Sequence, residues 1–490
     1  MPLSYKTRTW PHLLLMAIVF LQWAVLANAA ATEESQKVAA SDTALQPCQL
    51  PELSRPARCG VFELPENPSR PHGRQLAINV AIVPAAAEKT LADPIVVLMG
   101  GPGEEAISAA AHYAGQFDSL LRDRDLLLVD QRGTGRSSTL RCNLYSPDEP
   151  TVNLQEFFPL AAVRRCAQQS RARADLSQYT YAHLAHDLEH IRRALGYGPL
   201  NLYSASYGTR AAQVYLRTYP QNVRTVYFGS VVPIDVTIPV PLAKAAQLAM
   251  EKTLNACAAD AECHAAFPNL PTEFREILAR LDSGVNVSTP GNTGAIPLTR
   301  GRVAEFLRSK LYRAAGAATV PWLIHQAHAG NWTPIVEGIL AGARQRDSEI
   351  SFGLFFSIAC NEDIAFIREE DVVRQTQGTF VGDYRVRQQQ AACKEWPSGS
   401  LAPGYREPVR ASVPALFSSG DIDPASPLWF TDRVAANFPN RSEVLIRNQG
   451  HTEWNHCLGQ LYERLVRSGQ VHGLDSSSCG TVPRPPFKTR

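Results

Sequence analysis

The stretch from residue 200 to residue 220 constrains the fold most, because it places one serine between a short apolar run and a helical run. Residues 200–203 are mainly apolar, small residues surround Ser206, and residues 210–219 have helical character up to Pro220. A strand that turns tightly into a helix lifts the side chain at the turn away from the backbone. Small neighbours are needed there, because the turn brings backbone segments close together. The stretch predicts an exposed nucleophilic serine, Ser206, at the carboxyl edge of a sheet.

The pattern of strands and helices changes twice along the chain. From residue 75 to residue 235, short apolar runs alternate with helical segments, and the runs at 95–99 and 126–129 are continuously apolar. Residues 236–405 are mainly helical, and strand-like runs return after them. This order predicts an α/β protein with the α/β-hydrolase fold, in which a mostly parallel central sheet carries an inserted helical lid domain. The predicted segments are 75–235 for the first part of the core, 236–405 for the lid and 406–490 for the C-terminal part of the core.

Ser206 does not lie in the standard form of its motif. The nucleophile turn of this fold is usually written G-x-S-x-G, and Ser204 replaces the first glycine here. Serine is small enough for the turn, so Ser206 stays the candidate nucleophile. The alternative is an ordinary strand–turn–helix unit in which the serine only caps the helix.

The first 31 residues have the features of a secretory signal peptide. Lys6 and Arg8 supply positive charge, residues 13–26 are apolar, and Ala27-Asn28-Ala29 offers a cleavage site of the A-x-A type. The apolar run is shorter than a bilayer requires, which disfavours the alternative of an uncleaved anchor. The sequence therefore predicts export, periplasmic or secreted, without stable membrane insertion. Residues 32–74 are expected to form a leader and a disulfide-bearing segment.

Ten cysteines agree with folding in an oxidising compartment. None has the C-x-x-C spacing of zinc or redox sites, so structural disulfides are expected and no metal or cofactor is predicted. Pairing neighbours would give five short loops, although spacing alone leaves the connectivity open. The neighbouring pairs are Cys48 and Cys59, Cys142 and Cys166, Cys257 and Cys263, Cys360 and Cys393, and Cys457 and Cys479. The net charge of +2 gives no reason to expect a nucleic-acid partner.

Candidate partners for Ser206 follow later strands, in the order serine, acid, histidine that this fold uses. A serine hydroxyl becomes a useful nucleophile only when a base takes its proton. His451 follows the last strand-like run and is the candidate base, with His456 as its rival. Asp423 follows the preceding strand-like run and is the candidate acid, with Asp421 as its rival.

The oxyanion of a tetrahedral intermediate needs backbone N–H donors. Tyr207, the residue after the nucleophile, is expected to supply one of them. Gly100 or Gly101, in the glycine-rich loop after the run at 95–99, is expected to supply the other. A phosphate-binding loop is the alternative for these glycines, but no Gly-Lys-Ser/Thr sequence follows them.

Five segments resemble those of tripeptidyl aminopeptidases and proline iminopeptidases, which are serine peptidases with the α/β-hydrolase fold. The resemblance favours Asp423 over Asp421, since the acid of this family precedes a proline. It implies a secreted serine exopeptidase whose substrate is a peptide with a free N-terminus, from which single residues or short peptides are released. The matching segments are Gly100-Gly101-Pro102-Gly103, residues 130–137, Ser206-Tyr207-Gly208, residues 423–427 and Gly450-His451.

The resemblance also implies acidic residues in the lid that bind the α-ammonium group of the substrate. A free amine that is removed from water needs a carboxylate partner. Glu362 and Asp363, beside Cys360 in the predicted lid, are the candidates. An ordinary acidic turn beside a disulfide is the alternative.

Two other functions stay open at the level of sequence. The same fold carries esterases that act on small acyl substrates, because fold does not determine substrate. A binding protein without catalytic activity is the third hypothesis, which the complete serine, aspartate and histidine set disfavours.

Overall fold

The computed structural model describes residues 1, 45–146, 149–289, 292–397, 399 and 401–490. The expected signal peptide at 1–31 and the first part of the 32–74 segment therefore fall outside the described residues, Met1 excepted. Within these ranges, no helix is long and apolar enough to cross a membrane.

A nine-stranded sheet forms the centre of the fold. The strands of the described residues, β1 to β11 in chain order, are Gln46–Cys48, Ala57–Pro65, Gln75–Val83, Ile95–Leu98, Leu126–Val129, Leu200–Ala205, Val223–Gly229, Val285–Thr289, Asn292–Leu298, Ala415–Gly420 and Arg441–Ile446. The sheet order is β1-β2-β3-β5-β4-β6-β7-β10-β11, and β8 and β9 form a separate hairpin. Neighbours from β5 to β11 along this order are parallel, whereas the pairs made by β1, β2 and β3 are antiparallel. The predicted mostly parallel sheet is confirmed.

Helices connect the strands. Those of the described residues, α1 to α17 in chain order, are Ala110–Gln116, Pro150–Gln155, Leu160–Arg171, Tyr181–Ala194, Gly208–Thr218, Leu242–Ala259, Ala261–Ala266, Leu270–Ser283, Arg300–Lys310, Ala314–Ala317, Val320–His328, Thr333–Glu349, Phe352–Glu362, Glu369–Thr376, Tyr384–Lys394, Leu428–Ala435 and His456–Ser468. Helices α6 to α15 lie between β7 and β10 in the chain, where the sequence predicts the lid.

The parallel strands are apolar because both of their faces are buried. All four residues of β4 are buried, and their side chains alternate between two apolar clusters. Val96 shares one cluster with Leu188 of α4, and Val97 shares the other with Leu461 of α17. A strand covered on both faces has no polar side to display, which explains its unbroken apolar run.

The helices between β7 and β10 divide into two groups. Apolar residues of α8, α9 and α11 belong to a cluster of their own. Helix α13 differs, because Phe352, Phe356 and Ile358 are packed in the same cluster as the core strands. Helix α13 is therefore part of the interior of the sheet domain as well as of the inserted segment.

The sheet starts earlier than the expected core boundary at residue 75. Strand β2 pairs with β3 over eight residues, and β1 pairs with β2. In β2 the buried residues Phe62 and Leu64 alternate with more exposed ones. An antiparallel strand with one solvated face has this half-polar sequence, and it lacks the continuous apolar run that marks the central strands.

Five disulfides join neighbouring cysteines, which confirms the expected structural disulfides, whose pairing the spacing had left open. Such cross-links are typical of proteins that fold in an oxidising compartment. The bonds are Cys48–Cys59, Cys142–Cys166, Cys257–Cys263, Cys360–Cys393 and Cys457–Cys479.

Candidate active site

Ser206 lies at the sharp turn between β6 and α5, with a φ of 53°. This left-handed conformation is uncommon for a residue other than glycine and is found at strained functional turns. A Cβ on Gly208 would lie 2.1 Å from the carbonyl oxygen of Leu98, so only glycine fits there. Ser204 is fully buried and donates its hydroxyl to the carbonyl of Tyr227 at 2.6 Å. The side chain that replaces the first motif glycine is therefore accommodated without an unpaired polar group.

Ser206, His451 and Asp423 form one hydrogen-bonded chain. The Nε2 atom of His451 lies 2.8 Å from Oγ of Ser206. Its Nδ1 atom lies 2.9 Å and 3.0 Å from the two carboxylate oxygens of Asp423. These are the distances at which a histidine can take a proton from the serine while the aspartate orients the ring.

The backbone holds the two partners of Ser206 in place. One carboxylate oxygen of Asp423 accepts the N–H groups of Ala425 and Ser426, both at 2.8 Å. The N–H of His451 donates to the carbonyl of Tyr312 at 2.8 Å, and the ring of Tyr312 meets the imidazole edge-on. Tyr312 follows α9, so the inserted segment helps to position the imidazole.

The structure separates the rival residues from Ser206. Asp421 accepts the N–H of Asn448 and lies near the ammonium of Lys252, without reaching His451. His456 is exposed at the first residue of α17, where its ring contacts Gln460. Strand β10 and the loop after it therefore bring Asp423, rather than Asp421, to the imidazole.

The glycine loop after β4 packs directly on the serine turn. A Cβ on Gly100 would lie 3.3 Å from Cβ of Ser206, and Gly101 has a φ of 104°. The carboxylate of Asp130 accepts the N–H groups of Ala106 and Ile107, both at 3.0 Å, and so anchors the segment that follows this loop. The loop lies where backbone donors for an oxyanion are needed, beside Ser206 and the start of α5.

The candidate ammonium-binding residues Glu362 and Asp363 lie behind the nucleophile and do not line the cavity in front of it. Asp363 is fully buried, and Arg210 donates to both of its carboxylate oxygens at 2.9 Å. Glu362 accepts the N–H of Tyr181 at 2.9 Å and the hydroxyl of Tyr405 at 2.6 Å. These carboxylates are already paired inside the protein, so the structure gives no support to the ammonium-binding role that the resemblance implies.

A cavity of about 1060 Å³ opens in front of Ser206. Its lining includes Ser206, His451 and the two loop glycines, together with aromatic residues from the core and the inserted helices. Three carboxylates that the sequence interpretation missed also line it, Glu104, Glu349 and Glu453, and the last of these accepts the N–H groups of Ala314 and Gly450. A Cβ on Gly100 would lie 3.6 Å from Oε2 of Glu104, so this carboxylate stands beside the nucleophile.

Glu104 carries a perturbed carboxyl group. Burial raises its pKa, and the negative charge of Glu349 raises it further. His451, a backbone hydrogen bond from Gly100 and the guanidinium of Arg313 act in the opposite direction without reversing the shift. A positively charged ligand group at this point would relieve the cost of ionising Glu104.

Glu104 and Glu349 differ in how easily the sequence alone reveals their place in the site. Glu104 directly follows the glycine loop, so its nearness to the oxyanion donors is a detectable signal. Glu349 reaches the site only because the chain between α12 and α13 packs on the loop, with Ile350 Cδ1 3.3 Å from a Cβ built on Gly101. No local pattern reports such a contact.

In the described residues, no group of three His, Cys, Asp or Glu side chains could hold a metal ion.

Two family models match the chain. Residues 93–249 match the model described as alpha/beta hydrolase fold, and residues 378–479 match the model described as TAP-like protein. The first match covers β4 to β7 with Ser206, and the second covers β10, β11, Asp423 and His451. With the sheet order and the serine turn, these matches confirm the predicted α/β-hydrolase fold.

Known proteins with similar sequences include serine peptidases. The serine protease Hip1 of Mycobacterium tuberculosis is 31% identical over 44% of this chain and 45% of its own length. The tripeptidyl aminopeptidase of Streptomyces lividans is 27% identical over 37% of this chain and 36% of its own length. A proline iminopeptidase of Aeromonas sobria is 30% identical over 29% of each chain. The predicted similarity to these peptidases is confirmed, over less than half the length of each relative.

Proposed function

We propose that this protein is an exported serine exopeptidase that cleaves single residues or short peptides from the free N-termini of peptides. The observation that carries the proposal is the hydrogen-bonded chain of Ser206, His451 and Asp423 in a cavity that also holds the Glu104 carboxylate. The similarity to tripeptidyl aminopeptidases and proline iminopeptidases supports it. The five disulfides and the signal-peptide features at 1–31 support export.

In the proposed reaction, Ser206 Oγ attacks the carbonyl carbon of the scissile bond while His451 Nε2 takes its proton. Asp423 holds the imidazole and stabilises the imidazolium that forms. The N–H groups of Tyr207 and Gly101 donate hydrogen bonds to the oxyanion. The backbone of Gly100 is already hydrogen-bonded to the carboxyl group of Glu104. His451 then passes the proton to the leaving amine, and water releases the acyl group from Ser206 by the reverse steps.

Glu104 and Glu349 replace Glu362 and Asp363 as the proposed binding site for the substrate's α-ammonium group. A Cβ on Gly100 would lie 3.3 Å from Cβ of Ser206 and 3.6 Å from Oε2 of Glu104. The Oε2 atom of Glu104 is therefore no more than about 7 Å from Cβ of Ser206. In an acyl-enzyme, the amine of the first residue lies at most about 5 Å from that Cβ, so an amine that points toward Glu104 can form a hydrogen bond with Oε2. Each further residue would carry the amine about 3.5 Å away. Glu104 therefore favours the release of single residues.

The inserted helices α6 to α15 are proposed to act as the lid of this site. Tyr312 and Glu349 both come from this segment and both line the cavity. Its contribution is thus to orient His451 and to close the cavity over the substrate.

Hydrolysis of a small substrate panel by the purified protein tests this function. The panel holds an aminoacyl amide and a tripeptide amide with free amines, an amine-blocked twin of each, and a short acyl ester. We expect cleavage of both free-amine amides and of neither amine-blocked twin, with the aminoacyl amide preferred over the tripeptide amide. Cleavage of the ester alone would establish an esterase, and preference for the tripeptide would overturn the length argument from Glu104.

A further inference from the structure

Three arginines surround the ring of Phe157 on the wall of the active-site cavity. The guanidinium carbons of Arg302, Arg346 and Arg385 lie 5.3, 4.9 and 4.0 Å from the ring centroid. Arg346 comes from α12 and Arg385 from α15, and both line the cavity that contains Ser206. Positive charge is thus concentrated on the part of the wall that the inserted helices provide.

Carboxylates of the protein balance this charge only in part. Glu305 forms an ion pair with Arg385 at 3.6 Å, but its oxygens also receive Nε and Nη2 of Arg308 at the shorter distances of 2.9 to 3.2 Å. Asp347 lies next to Arg346 in the chain, and its oxygens accept the N–H groups of Leu144 and Tyr145. The cluster therefore keeps a surplus of positive charge.

Arg346 also keeps unused donors. Its Nε donates to the hydroxyl of Tyr145 at 3.2 Å, and its Nη2 is buried with no hydrogen-bond partner among the described residues. Burial lowers the pKa of Arg385, and burial together with Arg346 lowers the pKa of Arg302 to about 10. Stacking on Phe157 accounts for the position of the guanidinium groups. Arg302 and Arg385 also donate through Nε, to the carbonyl of Asn153 at 2.8 Å and to the side-chain oxygen of Gln389 at 3.3 Å. Nη2 of Arg346 is the buried donor of the cluster left unpaired among the described residues, and such a donor gains from a bound acceptor.

We infer that Arg346 and Arg385 form a subsite for a carboxylate of the peptide substrate. The planar fork of an arginine matches a carboxylate and forms two parallel hydrogen bonds with it. This subsite rests on the proposed function, since it lies in the same cavity as the nucleophile. With Glu104 as the ammonium site, the cavity carries charges that complement both charged groups of a short peptide. The carboxylate can belong to an acidic side chain or to the C-terminus.

Matched substrate pairs test the subsite in the wild-type protein, so the result does not depend on whether a variant folds. One set compares Glu with Gln at the first and second positions of free-amine fluorogenic amides. The other set compares free-amine di- and tripeptides that end in a carboxylate with their C-terminal amides. We expect kcat/KM to favour the carboxylate member of at least one set by about tenfold or more. The set that shows the preference identifies the source of the carboxylate.

Variants then assign the preference to the arginines. Arg346→Gln and Arg385→Gln should each reduce it at least several-fold, and Arg346→Lys should retain part of it because the charge remains. Arg344→Gln is the matched control, since Arg344 is exposed on the same helix. It should leave the preference unchanged.

A binding measurement separates this inference from the catalytic proposal. Ser206→Ala protein should bind the carboxylate member of the selective pair more tightly than its partner in calorimetry, whether or not the enzyme turns it over. Equal affinities, equal kcat/KM within every pair, or a preference that survives in both arginine variants would overturn the subsite. If the protein binds the two members of a pair with unequal affinities but the wild type turns over neither, only the catalytic proposal is overturned.

Discussion

Glu104 and Glu362 are two carboxylic acids whose pKa is raised for the same physical reason but with different consequences. Burial is the main cause for both, and it raises the pKa of Glu362 to about 7. Glu362 is enclosed by protein and already receives the hydroxyl of Tyr405. Glu104 lines the open cavity, and Glu349 adds negative charge beside it. A bound cation can therefore stabilise Glu104, whereas Glu362 has no access to one.

Replacing the Glu104 carboxylate by a neutral amide tests its role at the ammonium site. Glu104→Gln should raise KM for free-amine substrates by about tenfold or more, because a charge-assisted hydrogen bond is lost. Initial rates on a free-amine amide and on a short acyl ester provide the measurement.

The matched control is Glu337→Gln, which changes an exposed carboxylate on the same helix as Glu349. We expect its KM to equal that of the wild type. An equal rise in KM for the ester and the free-amine amide in Glu104→Gln would contradict the ammonium role.

At the scale of the element, the position of the nucleophile is set by backbone contacts between β4, β6, β7 and α5. The N–H of Ser206 donates to the carbonyl of Gly229 at 2.9 Å, and Gly208 packs against the carbonyl of Leu98. The hydroxyl of Thr209 donates back to the carbonyl of Ser206 at 2.6 Å. The strained φ of Ser206 is thus held by its neighbours on three sides.

Gly208→Ala tests this packing, because the new methyl group would lie 2.1 Å from the Leu98 carbonyl oxygen. We expect a loss of about 1–3 kcal/mol of stability and a large fall in kcat, since the turn must shift. Chemical denaturation and turnover of the preferred substrate measure the two effects.

Gly115→Ala is the matched control, because its Cβ would have no neighbour within 4 Å in α1. This variant should be as stable as the wild type or slightly more so. Full activity in Gly208→Ala would show that catalysis does not depend on the close packing of this turn against β4.

At the scale of the whole molecule, α13 joins the inserted segment to the core behind the active site. Asp363, just after α13, binds Arg210 of α5 and also accepts the hydroxyl of Tyr207 at 3.1 Å. The N–H of Ser351 donates to the carbonyl of Gly103 at 2.9 Å in front of the same turn. The segment around α13 therefore supports both the helix behind Ser206 and the glycine loop beside it.

The buried Glu362 makes stability depend on pH. In the unfolded chain this carboxyl loses its proton near its ordinary pKa of 4.5, whereas the folded protein keeps the proton up to about pH 7. Stability should therefore fall as pH rises from 4.5 to 7, by an amount on the order of 3 kcal/mol, and this contribution then levels off.

Denaturation at several pH values, for the wild type and for Glu362→Gln, measures this contribution. The variant carries no titrating group at this position. The difference in free energy of unfolding between the two proteins should therefore change between pH 4.5 and pH 7. A difference that stays constant from acid to neutral pH would show that Glu362 is ionised in the folded protein.

Sequence patterns predict the parts of this molecule that depend on local chemistry. The apolar runs of β4 and β5 and the turn at Ser206 can be recognised because each is a short contiguous signal. The antiparallel strands β1 and β2 at one end of the sheet escape recognition, since a half-solvated strand has a mixed sequence. An acidic pair such as Glu362 and Asp363 does not reveal in the sequence whether it faces a cavity or an arginine. The approach of Glu349 to the glycine loop depends on long-range packing that no local pattern reports.

Covalent labelling of Ser206 is the most direct test of its role as the nucleophile. The mature protein is treated with a serine-directed fluorophosphonate and the modified peptide is identified by mass spectrometry, with turnover of a free-amine amide followed in parallel. We expect one adduct on Ser206 and loss of turnover in proportion to it, no adduct in Ser206→Ala, and retained labelling in Ser204→Gly, which restores the usual motif glycine. An adduct on another serine, or turnover that survives in Ser206→Ala, would contradict the assignment of Ser206 as the nucleophile.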